Sequence, residues 1–235
     1  MNILIIPDIH GRNFWKNAVE KHEKECDKII FLGDYLDPYP WEKITRKEAI
    51  NNFDEIINYK IKNKDKVILL LGNHDLPYYD RNFGRATRYD SSNAWHIMEM
   101  FKSHRSIFKL AHEEEINGKK YIFTHAGLLY DWCKRHTKLI PEIDINHINL
   151  MISNEYGIMS LTEVSRYRGG LHPYGSIVWA DLYEMEHETN ENLPWDYQIF
   201  GHSQQITDPV ITKHWACLDC RKAFILDENG KIEEI

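Results

Sequence analysis

The sequence has no apolar run long enough to form a helix that crosses a bilayer, so we expect no membrane association. Its first residues, Met1 to Pro7, have neither a basic segment nor a small-residue cleavage site, and they do not resemble a signal peptide. We therefore predict a cytoplasmic protein. Low-complexity runs are also missing, and 43% of the 235 residues are hydrophobic, so the chain can bury a core.

Cysteine is scarce as well, and the sequence has no excess of positive charge. Cys217 and Cys220 form a CxxC pair, but the chain has four cysteines in all and no second pair that would complete a zinc site. We interpret the cysteines as reduced and structural. The net charge is −7 and no basic block is present, so we expect no extensive nucleic-acid binding.

The first third of the chain alternates between apolar strands and helical patterns. Strands are predicted at Ile3 to Ile6, Lys28 to Leu32 and Val67 to Leu71. Between them we predict a helix capped by Asn13 that runs to about Glu25, and a second helix that begins at a capping box of Thr45 and Glu48. This order predicts three parallel strands joined by right-handed crossovers.

The rest of the chain is richer in strands. Asn117 and Gly118 lie between strand-like arms and predict a hairpin. A strand is predicted at Tyr197 to Phe200, and short strands are predicted on both sides of a turn at 228–230. We predict one α/β (α+β) domain over 1–235, with two packed sheets flanked by helices and with insertions near 76–106 and 130–195.

Polar side chains follow the predicted strands at the point where each strand ends. These side chains are Asp8, His10, Asp34, Asp37, Asn73, His74, Asp75, His125 and His202. The carboxyl ends of parallel strands meet at one edge of a sheet, where α/β proteins bind ligands. Carboxylate, imidazole and amide groups together suit manganese, iron or zinc. One ion would not need so many ligands, so we predict two divalent ions about 4 Å apart that share a carboxylate.

Such a site can hydrolyse a phosphate ester. Two cations neutralise the phosphate oxygens and lower the pKa of a bridging water. The leaving alkoxide needs a proton, which a His that is not a ligand can deliver if a carboxylate orients its ring. Asn73 and His74 are adjacent and can divide these two tasks. Each motif alone is common in solvated turns, but their coincidence at strand ends favours a shared site.

Five motifs together resemble the calcineurin-like metallophosphoesterase superfamily and occur in its order. They are Asp8-Ile9-His10, Gly33-Asp34-Tyr35-Leu36-Asp37, Gly72-Asn73-His74-Asp75, His125-Ala126-Gly127 and Gly201-His202. The resemblance implies a sandwich of two mixed β-sheets flanked by α-helices.

The resemblance also implies a role for each residue. Asp8, His10 and a bridging Asp34 would hold one ion, and Asp34, Asn73, His125 and His202 would hold the other. His74 would donate the proton. Asp37 completes a Gly-Asp-x-x-Asp pattern found in the phosphoprotein phosphatases and the related symmetrical diadenosine tetraphosphatases, where this second Asp orients the catalytic His. We favour manganese, with iron or zinc as alternatives.

The sequence departs from the family pattern in three places. Pro38 stands where the protein phosphatases have Arg, so an Arg that binds the phosphate must come from elsewhere. We expect Arg168, which precedes two glycines, or else Arg12, with Arg85 and Arg88 as rivals. Gln204 can bind the first ion weakly or leave that place to water, and we favour water. Asp75 replaces a Glu and is interpreted as support or as a helix cap.

We therefore predict a metal-dependent phosphomonoesterase of the serine/threonine protein phosphatase type. A dinucleoside tetraphosphatase is the alternative, and the aromatic residues that would then stack on a base are Tyr78, Tyr79, Phe83 and Tyr89. These rings can equally serve only to pack the insertion. A non-catalytic scaffold should lack the catalytic His or some ligands, whereas this chain has His74 and the whole set.

Overall fold

The structure is a computed structural model and describes residues 1–187 and 192–235. Residues 1–109 and 221–235 form one compact unit, and residues 110–220 form another. The prediction of a single domain with two insertions stays a prediction, and residues 188–191 of the predicted insertion 130–195 lie outside the described residues.

The described strands form two sheets. In chain order they are β1 (Ile3–Ile6), β2 (Lys28–Phe31), β3 (Val67–Leu70), β4 (Phe108–Lys109), β5 (Ala111–Ile116), β6 (Lys119–Thr124), β7 (Tyr197–Phe200), β8 (Val210–Ile211), β9 (Trp215–Cys217), β10 (Phe224–Leu226) and β11 (Ile232–Glu234).

The helices are short, apart from the second. They are α1 (Phe14–His22), α2 (Arg46–Lys62), α3 (Leu76–Tyr79), α4 (Ala94–Ser103), α5 (Tyr130–Arg135), α6 (Ile145–Leu150), α7 (Glu155–Leu161) and α8 (Leu182–His187). Single 3-10 turns occur at Pro40–Glu42, Arg81–Phe83, Arg105–Ile107, Met151–Ser153 and Arg166–Arg168. Among residues 1–187 and 192–235, no helix is long and apolar enough to cross a membrane.

The first unit contains a six-stranded sheet in the order β11-β10-β1-β2-β3-β4. The strands from β1 to β4 are parallel, which confirms the predicted βαβαβ opening, and β10 pairs with β1 antiparallel. Every residue of β1 is fully buried, and β3 is buried throughout. Strands β1 and β3 are apolar along their whole length because both faces of a largely parallel sheet are covered.

The two helices of this opening begin differently. Thr45 accepts a hydrogen bond from the Glu48 amide, and the Glu48 carboxylate accepts from the Thr45 amide, so the predicted capping box is confirmed. Asn13 occupies the N-cap position of α1, as predicted, but its side chain makes no capping hydrogen bond. This helix ends at His22 rather than near Glu25, where the sequence offers only charged residues beyond the last apolar contact.

The second unit contains a five-stranded sheet in the order β5-β6-β7-β9-β8. Its hairpin is confirmed: Ile116 pairs with Lys119, and Asn117 and Gly118 have φ values of 52° and 73°, as a two-residue turn requires. Strands β6 and β7 are parallel, so their carboxyl ends reach the same edge. Both sheets are mixed and flanked by helices, which confirms the predicted fold class.

All four cysteines are buried, as expected for structural cysteines.

Candidate active site

The loops that follow β1 and β2 run side by side. The His10 amide donates to the Asp34 carbonyl at 2.6 Å, and the Gly11 amide donates to the Tyr35 carbonyl at 3.0 Å. His10 and Asp34 have φ values of 43° and 53°, in the left-handed region that side chains rarely adopt. Backbone of this kind costs about 1–3 kcal/mol per residue and is concentrated at functional sites.

Asp75 joins these loops to the one that follows β3. Its carboxylate accepts from the amides of Gly72 (2.8 Å), Asp34 (2.7 Å) and Tyr35 (3.0 Å), and the residue is fully buried. Burial raises the pKa of Asp75, whereas the three N–H donors favour its ionised form. The side chain makes no capping hydrogen bond to α3, so the interpretation as a cap is wrong and support is its observed role.

Gly72 allows the closest approach in this region. A Cβ atom at this position would lie 2.1 Å from Asp34 Oδ1, so no larger residue fits without moving the carboxylate. The same carboxylate oxygen accepts from the His74 amide at 2.8 Å. The strand end at Gly72 therefore fixes the orientation of Asp34.

His10 and Asp34 form an arrangement suited to a cation. His10 Nδ1 lies 2.8 Å from the Leu36 carbonyl, so Nδ1 carries the proton and Nε2 carries the lone pair. Nε2 is 3.4 Å from Asp34 Oδ2. Burial lowers the pKa of His10 to about 3, so the ring stays neutral. A lone pair that faces a carboxylate is unfavourable unless a cation lies between them, so these residues fit a divalent metal ion.

His74 and Asp37 form a buried pair in the same unit. His74 Nδ1 lies 2.8 Å from Asp37 Oδ2, and Asp37 also has a left-handed backbone, with a φ of 57°. The other carboxylate oxygen accepts from the Tyr78 hydroxyl at 2.6 Å. Burial raises the pKa of Asp37, and the bonds from His74 and Tyr78 oppose that shift. This contact is the one expected of a carboxylate that orients an imidazole.

Arg88 lies against the other nitrogen of the same ring. Its Nη2 is 3.3 Å from His74 Nε2, and its Nε donates to the Asp37 carbonyl at 2.9 Å. His10, Asp34 and His74 each offer one potential ligand atom, and these three atoms lie within 4.8 Å of one another. His74 is therefore near enough to the other two residues to be a metal ligand. Arg88 therefore faces the ring nitrogen that is not bonded to Asp37, and the role of His74 as the proton donor stays a prediction.

Two further predicted ligands of the first unit lie at strand ends. Asp8 follows β1 and Asn73 follows β3, and they are 1% and 4% exposed. Burial of such polar groups at the edge of the sheet is expected when they have partners or ligands. Their assignment as metal ligands stays a prediction.

The predicted ligands of the second unit come together at the ends of β6 and β7. His125 Nε2 and His202 Nδ1 are 3.1 Å apart, and the Gly201 amide donates to the His125 carbonyl at 2.8 Å. His202 has a φ of 63°, another left-handed residue at a predicted site. Gln204, on the same loop, is exposed. That these two histidines share an ion with Asp34 and Asn73 stays a prediction.

Comparison with known families identifies the chain. A family model described as calcineurin-like phosphoesterase matches residues 1–206. The chain belongs to this family. The predicted resemblance is thereby confirmed, and membership in a phosphoesterase family supports a hydrolase acting on phosphate esters.

Individual relatives of this calcineurin-like phosphoesterase are distant. A probable serine/threonine-protein phosphatase of Encephalitozoon cuniculi is 27% identical over 129 residues, which is 54% of this chain and 26% of the relative. The chain thus matches about a quarter of that protein.

Solved structures show the same fold. A cold-active protein-tyrosine phosphatase of a psychrophilic Shewanella species has a TM-score of 0.64 at 14% identity, over 99% of this chain and 80% of the other. A serine/threonine phosphatase of Saccharomyces cerevisiae has a TM-score of 0.57 at 14% identity, over 100% of this chain and 79% of the other.

The predicted phosphate-binding arginines of this calcineurin-like phosphoesterase are both paired with carboxylates. Arg12 is buried, and its Nε lies 3.0 Å from both carboxylate oxygens of Glu42. Arg168, in the second unit, pairs with Asp181 at 3.1 Å and donates to the Ser203 hydroxyl. Their roles in phosphate binding stay predictions.

Two contacts were missed by sequence reasoning. Tyr78 is fully buried and bonded to Asp37, and Tyr79 is only 8% exposed, so the prediction that these two rings stack on a base is wrong. Arg88 was only a rival for phosphate binding, and its place beside His74 was not foreseen. The one available signal was the mixture of aromatic and basic residues directly after the His74 motif.

Proposed function

We propose that this protein is a metal-dependent phosphomonoesterase of the protein phosphatase type. One observation carries the proposal: His10 and Asp34 present lone pairs to each other beside a buried His74–Asp37 pair. The first contact suits a cation and the second suits proton transfer, and a hydrolase of phosphate monoesters needs both. Family membership supports the reaction class.

The metal ligands follow from the resemblance and from the buried strand ends. Asp8, His10 and Asp34 would hold one ion, and Asn73, His125 and His202 would hold a second with Asp34 as the shared carboxylate. The donor set of carboxylate, imidazole and amide favours manganese, with iron or zinc as alternatives. When bound, such ions neutralise phosphate oxygens and lower the pKa of water.

The chain's own residues manage the proton. Because His74 Nδ1 faces Asp37, Nε2 is the nitrogen that carries the proton to the leaving oxygen. The Asp37 carboxylate holds the ring in one orientation. The bond from the Tyr78 hydroxyl fixes that carboxylate in turn.

A nucleotide substrate is the second candidate, and one surface residue favours it. Trp41 is 64% exposed and packs on Tyr39 with ring centroids 4.7 Å apart, and Tyr39 in turn lies 5.0 Å from the His10 ring. An exposed aromatic ring near the His10 ring could stack on a base. This surface therefore takes the place of Tyr78 and Tyr79 in the dinucleoside tetraphosphatase alternative.

A substrate panel tests both candidates. We expect the manganese-loaded protein to hydrolyse p-nitrophenyl phosphate and phosphoserine peptides, and to prefer them to diadenosine tetraphosphate. A preference for the dinucleotide that falls in Trp41→Ala would favour the nucleotide enzyme. A protein that binds manganese but hydrolyses no phosphate ester would overturn the proposed function.

A further inference from the structure

Arg88 differs from the other arginines that are not exposed. Of the ten arginines in the chain, three are buried or half-buried: Arg12, Arg88 and Arg168. Arg12 pairs with Glu42 and Arg168 pairs with Asp181. Among residues 1–187 and 192–235, no carboxylate forms an ion pair with Arg88, whose contacts are to the Asp37 carbonyl, the Tyr39 ring and His74.

The Arg88 guanidinium is nevertheless held in place. Its Nε donates to the Asp37 carbonyl, its plane lies over the Tyr39 ring with Cζ 3.9 Å from the centroid, and its Nη2 faces His74 Nε2. The first two contacts leave the Nη atoms available to a further acceptor. Preorganisation of this kind lowers the entropic cost of binding an anion.

The position of Arg88 relates directly to Pro38. The carbonyl that accepts from Arg88 belongs to Asp37, the residue that precedes Pro38. Proline itself offers no N–H donor and no charge at this point. Arg88, which is distant in sequence, therefore places a positive charge next to Pro38, which carries none itself.

We propose that Arg88 binds the non-bridging oxygens of the substrate's phosphoryl group. This inference rests on the proposed function of His74. A proton carrier must come within about 2.6–3.2 Å of the leaving oxygen, and Arg88 Nη2 is 3.3 Å from the nitrogen that carries that proton. The oxygens bonded to the same phosphorus are then within reach of the guanidinium. An anionic oxygen is a stronger acceptor than an imidazole nitrogen, so the phosphoryl oxygen displaces that contact and leaves Nε2 available to carry the proton.

Binding of inorganic phosphate provides the test, because it needs no turnover. We expect Arg88→Ala to raise the dissociation constant of inorganic phosphate, measured by titration calorimetry on manganese-loaded protein, by about 10- to 100-fold. Arg88→Lys keeps the charge but loses the planar fork, and it should give an intermediate value. The Michaelis constant for p-nitrophenyl phosphate should rise in parallel.

Arg81→Ala is the matched control. Arg81 lies in the same segment, is exposed and carries the same charge, so its loss should leave phosphate affinity within about twofold of the original. Unchanged phosphate affinity in Arg88→Ala, or an equal loss in Arg81→Ala, would overturn the inference. If the alanine variant unfolds or loses manganese, Arg88→Lys decides, and an unchanged affinity there overturns it too. A wild-type protein that binds phosphate through Arg88 but hydrolyses no ester would refute the proposed function instead.

Discussion

The loops directly after β1, β2 and β3 and the segment Leu76 to Asp90 are held in place by different kinds of contact. The loops are held by backbone hydrogen bonds between adjacent parallel strands and by Asp75. The segment contains only one short helix and one 3-10 turn, and side chains anchor it: Tyr78 and Arg88 both bond to Asp37. Regular structure thus positions the candidate ligands, whereas an irregular segment supports His74, the proposed proton carrier.

This difference indicates which of the two regions tolerates substitution of its side chains. A ligand at a strand end moves only if the sheet moves, because the register of the parallel strands determines its place. A side chain on an irregular segment can be replaced without disturbing the sheet.

Asp34→Asn should have the largest effect, because it removes charge from a residue at the centre of the strand-end loops. We expect metal affinity to fall by at least ~100-fold and phosphatase activity to be lost with it. Elemental analysis of the dialysed protein measures the bound metal. Asp65→Asn, at an exposed site, is the control and should keep full occupancy. Two tightly bound ions in Asp34→Asn would argue against a shared carboxylate.

His74→Asn distinguishes between two roles of His74, as a metal ligand and as a proton carrier. If His74 delivers a proton, turnover of phenyl phosphate should fall by about 10²- to 10⁴-fold with metal content unchanged. Turnover of p-nitrophenyl phosphate should fall less, because its leaving group needs no proton. Loss of metal in this variant would instead make His74 a ligand.

Tyr78→Phe tests the irregular segment. Removal of the hydroxyl leaves Asp37 without its second partner, so turnover of phenyl phosphate should fall by about 10-fold, and by more than that of p-nitrophenyl phosphate. The control is Tyr59→Phe, which also removes a hydroxyl bonded to a carboxylate, that of Glu23, away from the site. Equal losses for the two esters would indicate a general structural effect rather than positioning of the His74–Asp37 pair.

Thr45→Ala should change stability only. Loss of the capping box is expected to lower the free energy of unfolding by about 1 kcal/mol, with catalysis unaffected. Asn13→Ala is the matched control and should change it by less than about 0.5 kcal/mol, because Asn13 makes no capping bond. Thermal and urea unfolding measure both, and equal losses would show that local capping is not the cause.

The sequence predicted regular elements well where a single local pattern dominated. The buried apolar runs located β1, β2 and β3 to within one residue, and the Asn117-Gly118 turn located the hairpin. Helix α1 was predicted about three residues too long, because the charged residues 23–25 form a turn rather than a further turn of the helix. Its start was located from Asn13, although the expected hydrogen bond does not form.

The residues of the candidate site were likewise predictable where they follow regular strands. Residues that directly follow strands, such as His10 and His74, could be grouped because parallel strands bring their ends together. The contacts of Tyr78 and Arg88 to Asp37 span 41 and 51 residues of sequence, and no local period encodes them. Long-range contacts made by side chains on irregular backbone therefore could not be predicted from the sequence.

The pairing of β1 with β10 has a consequence for synthesis of the chain. One edge of β1 pairs with β2, and the other edge pairs with β10 (Phe224–Leu226), which is synthesised more than 200 residues later. At about 5–20 residues per second, that partner leaves the ribosome on the order of 10 to 40 seconds later. Until then a fully apolar strand has an open edge that can pair with another chain. Nascent chains of this protein should therefore depend on chaperones more than their size alone suggests.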